Sequence, residues 1–134
     1  PLALLQAEAL KAAGCLGDVD ALVPVPSGRG ERRSRGYDVP LMLARALGRE
    51  LGLPVMQALC KIRETPRQMA LSGGERRKNL KNAFSARPDA PLEGKRILLV
   101  DDVLTTGSTL NECAKALRAA GAAECRGVCA AATR

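Results

Sequence analysis

The sequence contains no histidine and no tryptophan, and its aromatic side chains amount to Tyr37 and Phe84. Without histidine no His-containing zinc set can form, and the five cysteines, Cys15, Cys60, Cys113, Cys125 and Cys129, include no CxxC pair. Their odd number and wide scatter predict reduced thiols in a cytoplasmic protein. The shortage of aromatics makes the core aliphatic, mostly Ala, Leu and Val, which suits helices laid on a sheet. It also leaves few platforms on which a nucleobase could stack. No apolar run approaches the ~20 residues of a membrane span, and no charged-then-apolar leader opens the chain. The start at Pro1, without Met, is expected of a fragment of something longer.

What is present starts with size and charge. A chain of 134 residues fits one domain with one continuous core, so residues 1–134 are expected to carry the function on a single fold. The excess of 21 Lys and Arg over 14 Asp and Glu leaves +7, which points to an anionic partner. Its distribution is uneven: Lys61, Arg63, Arg67, Arg76, Arg77, Lys78 and Lys81 face only Glu64 and Glu75 within one segment, and Arg29, Arg32, Arg33 and Arg35 surround Glu31 in another. Solvated basic faces would account for either cluster equally well.

Periodicity orders the elements. Leu2 to Ala13 has apolar positions at helical spacing and stops at Gly14, predicting a first helix. Ala21 to Pro26 reads as a strand opening into the Ser27-Gly28 loop. Tyr37 to Gly52 reads as a second helix, with Asp38 as N-cap and Pro40 in the first turn, where its missing N–H costs nothing. Leu53 to Ile62 is weakly extended, and the basic tract from Arg63 to Phe84, with a helical half from Glu75 to Ala83, has the length and polarity of a lid or binding loop. Pro88 and Pro91 mark a connection. Lys95 to Asp102 is apolar at its centre, as a strand buried on both faces should be. A helix from Ser108 to Ala120 ending at Gly121, and a strand from Arg126 to Ala131, complete an α/β alternation that predicts a parallel sheet flanked by helices.

The chemistry gathers at "ILLVDDVLTTGST", Ile97 to Thr109. Ligands of open α/β sheets bind beyond the carboxyl ends of the strands, where Asp101 and Asp102 fall. Thr105, Thr106, Gly107, Ser108 and Thr109 lead into a helix N-terminus, whose unpaired N–H groups and dipole favour an anion. Gly107 would let the backbone approach it closely. Like charge bars the two acids from that anion, and vicinal sugar hydroxyls are donors at the right separation. The stretch therefore reads as a ribose 5-phosphate site, against the alternative that the acids merely cap the helix. Rival families fail on countable features: no GxxxxGK[ST] loop occurs, no Asp follows Asp102, and the acids form DD rather than DxD.

All thirteen positions of Ile97 to Thr109 resemble the phosphoribosyl diphosphate (PRPP) signature of type I phosphoribosyltransferases. The blocks "VPVP" (Val23 to Pro26), "RSRGYD" (Arg33 to Asp38), "TPRQMALSGGERRKNLKNAF" (Thr65 to Phe84) and "LEGKRILLVDDVLTTGSTL" (Leu92 to Leu110) resemble the ComF/GntX-type competence proteins within that superfamily. Val39 replaces the glutamine usual after the Arg-Gly-aromatic block, and the family's N-terminal Cys-rich metal-binding segment has no counterpart, so no zinc site is carried over.

The resemblance implies a type I phosphoribosyltransferase-like fold, a parallel sheet flanked by helices with a basic flexible hood at about residues 63–84. It implies Thr105 to Thr109 on the 5-phosphate, Asp101 and Asp102 on the ribose, and Ser27, Gly28, Arg29 and Arg35 toward the diphosphate. Arg67, Gln68, Arg76 and Asn79 would face ligand from the hood, with Mg²⁺ carried by PRPP and no direct protein ligand to the metal. A carboxylate ~5 Å from a developing oxocarbenium at an effective dielectric of about 20 would stabilise it by roughly 3 kcal/mol, two powers of ten in rate. Three functions stay open: PRPP binding with transfer to an unknown acceptor, binding of single-stranded DNA by the hood in DNA uptake or processing, and nucleobase salvage. A homodimer stays open as well.

Overall fold

Four successive aliphatic residues, Ile97 to Val100, are all buried, so this strand must be covered on both faces. In the computed structural model, which describes residues 18–26, 39–62, 83–104 and 108–132, both faces are indeed covered. Strand β1 is Ala21–Pro24, helix α1 Val39–Leu51, β2 Leu59–Lys61, β3 Phe84–Ala86, β4 Arg96–Leu104, helix α2 Ser108–Ala119 and β5 Glu124–Ala132. The main sheet has the order β1-β4-β5 and is parallel throughout.

Side-chain alternation along β4 sorts the core into two layers. Leu98 and Val100 join Leu22 of β1 and Ala44 and Leu47 of α1 on one face. Ile97 and Leu99 join Val23 of β1 and Cys113, Ala114 and Leu117 of α2 on the other. Each fully buried Leu or Ile contributes about 1.5–3 kcal/mol, and a one-residue slip of β4 would exchange the two faces. The register Leu99↔Val23 on one side and Leu99↔Gly127 on the other is therefore strongly specified, and with it the place of Asp101.

The ends of the elements follow from local chemistry. Gly52, just past α1, has φ 69°, the left-handed conformation that closes many helices. Past α2 the Ala122 N–H donates to the Leu117 carbonyl at 3.1 Å and the Gly121 N–H to that of Arg118 at 3.0 Å, a Schellman closure with Gly121 at φ 105°. At the opposite end of the sheet the Arg96 N–H donates to the Asp20 carboxylate at 2.8 Å, and the Asp20 N–H to the Arg96 carbonyl at 2.8 Å, which ties the start of β1 to the start of β4.

Several sequence expectations shift. Strand β4 runs to Leu104, two residues beyond its expected end, because β5 is nine residues long and supplies ladder partners as far as Ala132. The expected extended stretch forms a parallel bridge, Val55 to Leu22, followed by β2. Where only a connection was expected after residue 84, β3 pairs antiparallel with β2 in a second, two-stranded sheet. Ala83 and Phe84, placed at the end of the basic tract, are core residues: Phe84 buries one of the two aromatic rings in the sequence against the α2 layer. The expected helix at Leu2 to Ala13 and nearly all of the 63–84 tract lie outside the described residues. Among those described, no helix is long and apolar enough to cross a membrane.

Candidate functional site

The carboxyl end of β4 is where the chain brings chemistry to the fold. Asp101 is the only polar or charged side chain that is buried among the described residues, at 8% exposure. Burying a carboxylate costs several kcal/mol unless something compensates it, so a core position that merely needed filling would hold an aliphatic residue. Asp101 follows Ile97 and Leu99 on the α2 side of the sheet, paired in register with Cys129. It thus lines the inner wall of this end of the sheet. Asp102 is the next residue of the same strand, so both acids sit inside the β4–β5 ladder rather than beyond its end.

Helix α2 approaches the same place from above. Ser108 is its first residue, Thr109, half-buried, its second, and Cys113 lies one turn further in, fully buried against the sheet. Burial pushes the Cys113 thiol far above its ordinary value, and the negative charges of Asp101 and then Glu112 push it in the same direction, while Lys61 pulls it down. Four groups from three elements thus share one electrostatic neighbourhood: Asp101 of β4, Glu112 and Cys113 of α2, and Lys61 of β2. Glu112 also pairs with Lys115 at 3.1 Å.

Cys113, Glu112 and Lys61 were not candidates in the sequence, although Cys113 carries a signal: with Leu117 four residues on, it marks the buried stripe of α2. Lys61 had none, because nothing local shows that a three-residue strand would carry it under α2. Of the residues singled out in the sequence, Asp101 and Asp102 lie on β4 and Ser108 and Thr109 open α2. Thr105, Thr106 and Gly107, between them in the chain, lie outside the described residues, as do Ser27, Gly28, Arg29, Arg35, Arg67, Gln68, Arg76 and Asn79.

Among the described residues no group of three or more His, Cys, Asp or Glu side chains is placed to hold an ion. An Mg²⁺ held by ligand oxygens and water would need no such group.

Comparison with known proteins gives three concordant findings. Residues 40–134 match the family model for the phosphoribosyl transferase domain. Competence protein F of Haemophilus influenzae is 42% identical over 109 residues, covering 78% of this chain and 47% of the relative. The DNA utilization protein YhgH of Escherichia coli is 39% identical over 105 residues, covering 78% and 45%. The chain therefore spans about half the length of these curated relatives. Among solved structures, the glutamine PRPP amidotransferase of B. subtilis, complexed with ADP and GMP, superposes with a TM-score of 0.60 at 25% identity, over 96% of this chain and 26% of that one.

Proposed function

The chain belongs to the phosphoribosyl transferase domain family, in its competence-protein type, and from that premise we propose that it binds PRPP at the β4–α2 junction and serves in DNA uptake or processing. The observation that carries the reading is Asp101: a carboxylate kept at 8% exposure toward the end of β4, three residues before the strand ends at Leu104. A ribose hydroxyl donating to that carboxylate would make a directed, charge-assisted bond. Asp102 is assigned to the neighbouring hydroxyl.

The 5-phosphate is assigned to Thr105 through Thr109, at the N-terminus of α2, whose orphan N–H groups suit an anion. Mg²⁺, arriving with PRPP, would neutralise the diphosphate as it leaves. The acids would stabilise the positive charge that then develops on the sugar ring, and the basic residues of the 63–84 tract would face the leaving group. The acceptor is left unassigned.

Calorimetric titration with PRPP and Mg²⁺ tests the reading. Asp101→Asn/Asp102→Asn keeps the shape and removes the charge. It is expected to weaken binding by about 100-fold, the equivalent of roughly 3 kcal/mol for two charge-assisted hydrogen bonds. Equal affinities in the two proteins would remove the proposal.

A further inference from the structure

Helix α2 sets its first turn down on a glycine. Side chains alternate between the faces of β5, so Gly127, in register with Leu99, belongs with Cys125, in register with Ile97, on the face that α2 covers. The Cys125 thiol donates to the Ala114 carbonyl of α2 at 4.0 Å. Two residues further along the strand, an advance of about 6.6 Å, comes Gly127; four residues back along the helix, about 6 Å, comes Leu110. The two meet: a Cβ built at position 127 would lie 3.0 Å from Leu110 Cδ1, 3.6 Å from its Cδ2 and 3.7 Å from its Cγ.

Strand chemistry does not ask for this glycine. In a nine-residue strand a glycine inside the ladder weakens the pairing, and a β-branched residue would strengthen it. Position 127 is exposed, so burial demands no small residue there either. All three nearest atoms to the missing Cβ belong to Leu110. The space is kept for that one side chain, two residues after Ser108 opens α2.

We propose that Gly127 is a positioning residue for the sugar-phosphate site, acting through Leu110: without a side chain at 127 the first turn of α2 settles on the sheet, and this fixes the separation between the helix N-terminus and Asp101 and Asp102 of β4. The inference rests on the reading of that junction as a PRPP site. Asp101 lies two residues beyond Leu99, the ladder partner of Gly127, so the seat of the helix and the acids belong to neighbouring rungs of one sheet. A ligand that spans helix and acids needs both at once, and a small displacement of the helix costs it one or the other. A ligand that occupies the helix end alone moves with it.

Two probes separate positioning from folding, titrated into the full chain: ribose 5-phosphate, which spans the junction, and inorganic phosphate, which takes only the helix end. Gly127→Val is expected to weaken ribose 5-phosphate by about tenfold and inorganic phosphate by less than about twofold. Leu110→Ala added to Gly127→Val exchanges the large and small partners, and is expected to recover most of the lost ribose 5-phosphate affinity. If Gly127→Val does not fold, Gly127→Ala, which asks Leu110 to give by a few tenths of an ångström, is expected to show the same split at about threefold. Equal losses for the two probes, no loss for either, or no recovery in the double variant overturns the proposal. An Asp101→Asn/Asp102→Asn protein that binds ribose 5-phosphate as the unaltered one does removes the reading of the junction itself, and leaves Gly127 nothing to position.

Discussion

At the scale of single residues, the interior near the candidate site holds two ionisable groups of opposite use. Asp101 is kept buried where a core alone would want an aliphatic residue, which is why it is read as functional. Cys113 is kept neutral, because burial, then Asp101, then Glu112 all disfavour its thiolate. The consequence for stability has a definite sign. A thiol whose folded pKa lies above its ordinary value near 9.0 contributes its full stability below that value, and loses it as pH rises from there toward the folded pKa. Unfolding free energy measured in urea is therefore expected to fall by up to about 1.4 kcal/mol per pH unit above about pH 9 from this group. Cys113→Ala should start less stable, from the space it opens, yet show a flatter decline over the same range. Parallel pH profiles for the two proteins would show that Cys113 is not the titrating group.

At the scale of elements, helix α1 meets the rest of the fold through a glycine. Gly48 is buried in the last turn of α1, and a Cβ there would lie 2.8 Å from the Leu53 carbonyl oxygen and 3.1 Å from a Val55 methyl. The same glycine accepts a hydrogen bond from the Leu53 N–H at 3.0 Å, and the chain then turns to bring Val55 beside Leu22. Elsewhere in a helix, Gly→Ala would stabilise by about 1 kcal/mol. Here the close backbone contact dominates. Gly48→Ala is expected to destabilise by about 1–3 kcal/mol, the usual cost of overpacking, as a lower urea midpoint with unchanged m-value. An increase in stability would show that the 53–55 segment yields freely.

At the scale of the whole molecule, the surplus of +7 makes an anionic partner the expectation, and the two partners proposed are a sugar phosphate and a nucleic acid. These separate by salt. With few aromatic rings to stack bases, binding of single-stranded DNA would rest on phosphate contacts from the basic tract, each releasing counterions. Fluorescence anisotropy with a single-stranded oligonucleotide is expected to show steep weakening from low to moderate salt. Arg76→Ala/Arg77→Ala/Lys78→Ala should make the log–log slope shallower by about 2, at roughly 0.7 per phosphate contact. Salt-independent binding, or an unchanged slope in the variant, would remove DNA from the proposed function while leaving PRPP binding to its own test.

Much of this protein was already written along the chain. The apolar centre of β4, the stop of α2 at Gly121 and the α/β alternation all depend on contacts or preferences within a few residues, which a linear pattern records. The tertiary structure decided what depends on distant partners. It extended β4 to Leu104 because β5 was there to pair with it, moved Phe84 from a polar tract into the core, and joined Lys61, Asp101, Glu112 and Cys113 into one electrostatic group. Side-chain periodicity is local and survives in one dimension; which edge is covered, and which charge faces which, is set only when elements far apart in the chain are packed together.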